Sequence, residues 1–162
     1  MPLNAQITLS IIAHESAVGD ISRQIRVTPV TYALMLADGV GAGQAQVVWS
    51  DSRTVGTSPE TLTMTALSDT RDGAAVTVAF SSVKVVYVRN TSTTASLKIG
   101  GGVGVGVFSG TPTIVAMPIP PGGCYFLSLP DADGFAAGTS KFESSSGDCT
   151  YDIVLIGEGT VS

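Results

Sequence analysis

Few residues in this sequence have the type and spacing to do chemistry. The only histidine, His14, is followed by Glu15 and Ser16. A nucleophilic triad would need it as general base toward an activated serine. His14 sits near the end of an alternating apolar–polar segment, and the chain contains no Gly-x-Ser-x-Gly elbow. An exposed or hydrogen-bonded histidine at a strand end is the simpler account. Gly100–Gly106 reads GGGVGVG. A phosphate loop needs Lys-Ser or Lys-Thr after its last glycine, and a dinucleotide fingerprint needs a helix N-terminus facing the pyrophosphate. Here Val107, Phe108 and Ser109 follow, then Gly110-Thr111-Pro112. The tract therefore reads as a flexible loop or a bulged strand.

Asp131-Ala132-Asp133-Gly134 brings two carboxylates close enough for calcium but lacks the further acidic ligands of a full loop. A Pro-Asp-x-Asp-Gly turn explains it, with calcium at Asp131 and Asp133 left as the alternative. Cys124 and Cys149 match no zinc spacing. Both fall in expected strands, so a cross-strand disulfide fits geometrically, while two buried thiols acting as small hydrophobes suit a reducing compartment. Lys84 and Arg89 lie on one strong strand and have Asp51 and Asp152 as candidate partners. Ten aromatic residues are scattered along the chain, and the single Trp49 lies within an apolar run, which reads as core or interface packing. No residue is assigned a catalytic, cofactor-binding or metal-binding role.

The elements that would position these residues follow from composition and periodicity. The chain has 162 residues, 44% hydrophobic and 13% charged, with a formal net charge of −5. That balance excludes intrinsic disorder and suits one domain with its own core. Eight Lys and Arg against thirteen Asp and Glu leave no basic stripe for nucleic acid. The N-terminus lacks a basic region followed by an apolar one, and no apolar run approaches the roughly 20 residues of a membrane helix. The expectation is a chain made in the cytoplasm, with neither a membrane nor a nucleic-acid partner. So few charges suit a surface that ends up packed against neighbours.

Alternation of apolar and polar residues predicts strands almost throughout. They fall at 6–13, 21–27, 31–37, 45–55, 61–65, 75–80, 83–89, 96–99, 113–117, 123–129, 141–144 and 151–156, the last ended by Gly157. Turns are expected at Asp69–Gly73, Pro118–Gly122 and Pro130–Gly134, and at most one helical turn within Glu60–Asp69. The fold class is all-β, a β-sandwich of jelly-roll type with about ten short strands. Residues 1–30 form an N-terminal arm or strand-exchange region behind a hinge at Thr28-Pro29, and residues 31–162 form the sandwich. Arg23 shares its parity with Ile21, Ile25 and Val27, which marks that face as an interface rather than core. Val85, Tyr87, Leu127 and Ile153 are expected to face inward.

Four segments together carry a resemblance: LADGVGAGQAQVVWSDSRTV (Leu36–Val55), VTVAFSSVKVVYVRNTS (Val76–Ser92), IPPGGCYFLSLPDADG (Ile119–Gly134) and YDIVLIGEG (Tyr151–Gly159). In this order the chain resembles small β-rich structural proteins of tailed bacteriophages. The Pro-Gly-Gly before an apolar strand and the Tyr-Asp-Ile ending are its most specific parts. The resemblance implies a non-enzymatic virion component assembled in the host cytoplasm, above all a capsid decoration or cement protein. Its partners would be the major capsid protein and further copies of itself, as a homotrimer or homodimer. It implies no cofactor. A tail-tip or fibre module binding host glycans is the alternative, and a small β-sandwich enzyme ranks last.

Overall fold

The computed structural model describes residues 2–17, 23–26, 28–100 and 117–162, and of residues 14–17, 23–26 and 117 only the backbone. All but the last residue of the expected strand 113–117 and all but the first of the Gly100–Gly106 tract lie outside the described residues. Among the described residues there is no helix, so the helical turn within Glu60–Asp69 does not form. No helix is long and apolar enough to cross a membrane.

Among the described residues fifteen strands are formed. The first four are β1 (Ala5–Ile11), β2 (His14–Ala17), β3 (Arg23–Arg26) and β4 (Val30–Asp38). Next come β5 (Gln44–Ala45), β6 (Val47–Val55), β7 (Glu60–Thr63), β8 (Leu67–Arg71) and β9 (Ala74–Asn90). They are followed by β10 (Leu97–Ile99), β11 (Met117–Ile119), β12 (Cys124–Ser128), β13 (Phe135–Ala136), β14 (Thr139–Ser144) and β15 (Cys149–Val161). The larger sheet runs β12-β9-β15-β6, with β8 and β13 also on β9; the smaller runs β11-β10-β14-β7. The two pack face to face as a sandwich. Their shared core holds Trp49, Leu62, Met64, Phe80, Val86, Val88, Leu97, Phe142, Tyr151, Ile153 and Leu155, all buried. Burying such side chains contributes about 1.5–3 kcal/mol each.

The two longest strands depart from the expected pattern. The segments 75–80 and 83–89 are one 17-residue strand, and Gly157 does not end β15, which runs on to Val161. The β9–β15 register shifts twice, between Ile156 and Gly157 and between Glu158 and Gly159. Lys84 and Ser81 are the extra residues on β9. Each bulge flips the side-chain parity. Inward-facing residues of β9 are therefore Val78 and Phe80, then Val83, then Val86 and Val88. Strict alternation from Val83 would put Val85 and Tyr87 in the main core. Val85 is buried instead on the opposite face, and Tyr87 is half-buried there. Ile153 faces the main core as expected, and half-buried Leu127 packs against it. Gly157 and Gly159 permit the bulges: a Cβ would stand 2.1 Å from the Ser82 carbonyl oxygen at Gly157, and 2.2 Å from that of Ala79 at Gly159.

The expected turn at Asp69–Gly73 is mostly strand. β8 and β9 form a hairpin closed by Asp72-Gly73, both at positive φ, which is the two-residue turn that matches strand twist.

A third layer lies outside the sandwich. β1 pairs with β4 from Ala5↔Leu36 to Ile11↔Val30, and β2 pairs with β3 beyond it, making a long two-stranded ribbon. The arm expected over residues 1–30 thus has β4 as its second strand. Only the base of the ribbon lies on the body. There Leu3, Ala5, Ile7, Leu34 and Leu36 pack on Val85, Val154, Ile156 and Phe126 of the larger sheet's outer face.

Candidate functional site

The residues singled out for chemistry are dispersed. His14 falls in β2, where no side chain is described. Asp131 and Asp133 are exposed, and Asp131 Oδ1 accepts a hydrogen bond from Gly134 N at 2.6 Å, closing the expected turn. Among the described residues no group of three or more His, Cys, Asp and Glu stands together as a metal site would. Both cysteines are free thiols. Cys149 is buried, its thiol 3.3 Å from Asn90 Oδ1, and burial pushes its pKa up. Cys124 is exposed rather than buried, because β12 is the edge strand of the larger sheet.

The charged residues take partners that spacing did not indicate. Lys84, wholly buried, stands 2.9 Å from Glu158 and donates to the Gly41 carbonyl at 2.7 Å. It is a bulge residue, so its side chain leaves the sheet plane toward the Gly39–Gly43 loop. That loop is further held by Gly43 N donating to the Pro130 carbonyl, at 2.7 Å. The segments Leu36–Gln44 and Pro130–Gly134 are therefore joined to each other beside Lys84. Asp51 pairs with Arg53 at 2.7 Å, and Arg53 also binds Glu60. Tyr151 donates to Glu60 Oε2 at 3.1 Å and stacks on Phe142, with ring centroids 5.0 Å apart. Glu60 and Asp51 hold the Arg53 guanidinium more firmly protonated, their pull exceeding the effect of burial. Burial, then the Glu60 charge, drive the Tyr151 phenol well above its ordinary range. Each polar end is satisfied within this cluster, which ties β6, β7 and β15 together. Trp49 is buried as expected, with Nε1 donating to the Ser68 carbonyl at 3.0 Å.

The feature that sequence reasoning missed is on the outer face. A groove of about 420 Å³ is lined by Gln6, Ile7, Thr8 and Leu9 on one side. Its floor holds Val85, Tyr87, Phe126, Val154 and Ile156, with Cys124 at the rim. Successive strand residues point to opposite faces, so four consecutive residues on one wall mean that the edge of β1 borders the groove. Among the described residues that edge is open: the sheet order is β1-β4-β5, and β1 pairs with β4 alone.

The ribbon continues past this groove with one apolar face. Its rows are Ala5/Leu36, Ile7/Leu34, Leu9/Tyr32 and Ile11/Val30, while Gln6, Thr8, Ser10, Thr31, Ala33 and Met35 occupy the other face. The first two rows sit on the body. Tyr32 reaches back to Phe126, centroids 6.0 Å apart, and shares a 2.8 Å hydrogen bond with Ser128. Leu9, Ile11 and Val30 are left 46%, 55% and 61% exposed. Of nine exposed large hydrophobic residues among the described ones, seven lie between Leu9 and Val40. What these residues bring together is a strand edge, an apolar floor and an overhanging apolar face. The signal available in sequence was the absence of any charge from Pro2 to Ala13 and from Thr28 to Ala37.

No protein-family model matches the chain. Neither a curated protein nor a solved structure shows significant similarity to it.

Proposed function

We propose that this chain is a non-enzymatic structural protein of a tailed-bacteriophage virion, a decoration or cement protein that binds the head lattice and stabilises it. The observation that carries the reading is the overhanging ribbon, whose apolar face is buried at its base and bare beyond it. An exposed apolar face of that kind marks an interaction site. The low charge of the chain and its resemblance to small phage β proteins supply the kind of partner: the major capsid protein and further copies of the chain. A multivalent protein bridging several capsid subunits gains effective concentration with each added contact and links subunits that would otherwise part independently. Its contacts are apolar and main-chain in character, so binding survives moderate salt.

Particles lacking the protein are expected to assemble and package DNA, but to release it at lower temperature than complete particles; adding the purified chain back restores the wild-type release temperature. Equal heat resistance with and without the protein would reject the cement role.

One observation favours the second reading, a tail-tip or fibre module that binds host glycans: Tyr32, Tyr87 and Phe126 gather on the outer face. A sugar platform is flat and open to solvent, whereas Tyr87 and Phe126 are half-buried beside the ribbon. Robust particles that fail to adsorb to host cells would decide for it.

A further inference from the structure

We infer that the groove beside β1 is filled by β1 of a second copy of this chain, paired antiparallel about a two-fold axis. The inference rests on the assembly reading above, and extends it to the contact between copies.

Three observations select this occupant. The first is the edge itself. Solitary strand edges in soluble proteins carry lysines, prolines or bulges that prevent pairing. β1 has none: the whole segment Gln6–Ile11 is uncharged, lacks proline and keeps one unbroken register with β4. The occupant is accordingly an extended strand that adds to the edge by main-chain hydrogen bonds.

The second is the side-chain pattern. The strand must present apolar residues at alternate positions toward the floor formed by Val85, Tyr87, Phe126 and Val154. β1 already does this within its own chain, where Ala5 and Ile7 lie against that face. Its remaining apolar residues on the same side, Leu9 and Ile11, are left about half exposed.

The third is the arithmetic of antiparallel pairing. With Thr8 opposite the second copy's Thr8, the second copy's Leu9 falls beside Ile7 and its Ile11 beside Ala5. Directly opposite residues share a face, so both land on the floor side. The overhanging residues of each copy thereby cover the uncovered floor of the other, and the two ribbons join into one sheet of order β4-β1-β1-β4. The contact is self-complementary and closed, as a two-fold interface requires. The other ribbon strand does not offer the same site, because the groove borders β1 and part of the β4 edge is taken by β5.

The test uses the full chain without any capsid, so it stands or falls separately from the cement role. Sedimentation equilibrium and light scattering should give a dimer for the wild type. Leu9→Arg and Ile11→Arg, both at exposed positions, should give folded monomers with wild-type circular dichroism. A Thr8→Cys variant in a Cys124→Ser background should cross-link to a covalent dimer under mild oxidation, since Thr8 meets its own copy at the axis. A monomeric wild type, a trimer, or a dimer that resists both arginines and fails to cross-link through Thr8→Cys would each overturn the inference. A dimer of the expected kind that does not bind phage heads would sink the cement role and leave this contact standing.

Discussion

Replacing Lys84 by methionine probes how the bulges of β9 organise the molecule. Lys84 has no exposed surface, and its ammonium group lies 2.9 Å from Glu158 and 2.7 Å from the Gly41 carbonyl. Methionine keeps most of the packing volume and removes the charge. Breaking one side of a buried ion pair costs about 3–5 kcal/mol, because the other charge is stranded. The Glu158 side chain keeps 17% of its surface exposed, so water reduces that penalty toward the lower end of the range. The Gly41 carbonyl loses one of two donors but keeps the bond from Gln44 N at 3.1 Å, so this part of the loss is about 1 kcal/mol or less. The loop also keeps its hydrogen bond from Gly43 to the Pro130 carbonyl, so it is not released outright. The expected total for Lys84→Met is about 3–4 kcal/mol. Adding Glu158→Gln removes the stranded charge, so the double variant should be more stable than Lys84→Met alone by about 1–2 kcal/mol. Urea denaturation of the wild type, both single variants and the double variant gives the cycle. A loss below about 1 kcal/mol for Lys84→Met would mean that the lysine does not latch the Gly39–Gly43 loop. Strict additivity would mean that Lys84 and Glu158 do not interact.

Three further outcomes are expected. Gly157→Ala drives a Cβ into strand backbone and should cost at least the upper end of the about 1–3 kcal/mol of ordinary overpacking, whereas Gly147→Ala meets no atom within 4 Å and should cost only about 1–2 kcal/mol for its positive φ; equal melting temperatures for the two would contradict the bulge account. The Tyr151 phenol is held neutral in the fold, so the folded chain keeps a proton that the unfolded chain gives up above its ordinary pKa of about 10.0; stability should fall as pH rises past that value, and Tyr151→Phe should abolish this part of the alkaline loss. A thiol reagent should modify Cys124 in the folded chain and Cys149 only on unfolding, with neither thiol consumed by a disulfide; equal rates at the two would contradict the burial of Cys149.

Local pattern made the strands legible. Alternation in Gln6–Ala13 and Thr31–Ala37 marks both strands of the ribbon, Pro130–Gly134 marks its turn through Asp131, and the apolar run around Trp49 marks a core strand. Where local pattern failed, the cause was non-local. Gly157 reads as a terminator because glycine weakens a strand, but here it admits the close approach of Ser82 and Val83. The resulting bulges move Val85 and Tyr87 to the face opposite the one that alternation assigns. Lys84 looked like a surface partner for Asp51 or Asp152 because nothing local shows that it is a bulge residue. The groove was illegible for the same reason: its lining comes from residues 6–9 and from alternate residues of β9, β12 and β15, which only the sheet order brings together. The low overall charge was visible in the sequence and pointed to assembly, but it did not show where the uncovered surface lies.

The central claim is that this chain is a head-binding virion protein, and a cryo-EM reconstruction of the particle that carries it tests this most directly. The account predicts density for the three-layered β body on the outer surface of the head, contacting the major capsid protein, with its ribbon lying against neighbouring protein rather than in solvent. Density confined to the tail or fibres, or a complete particle with no density for the chain, would contradict it.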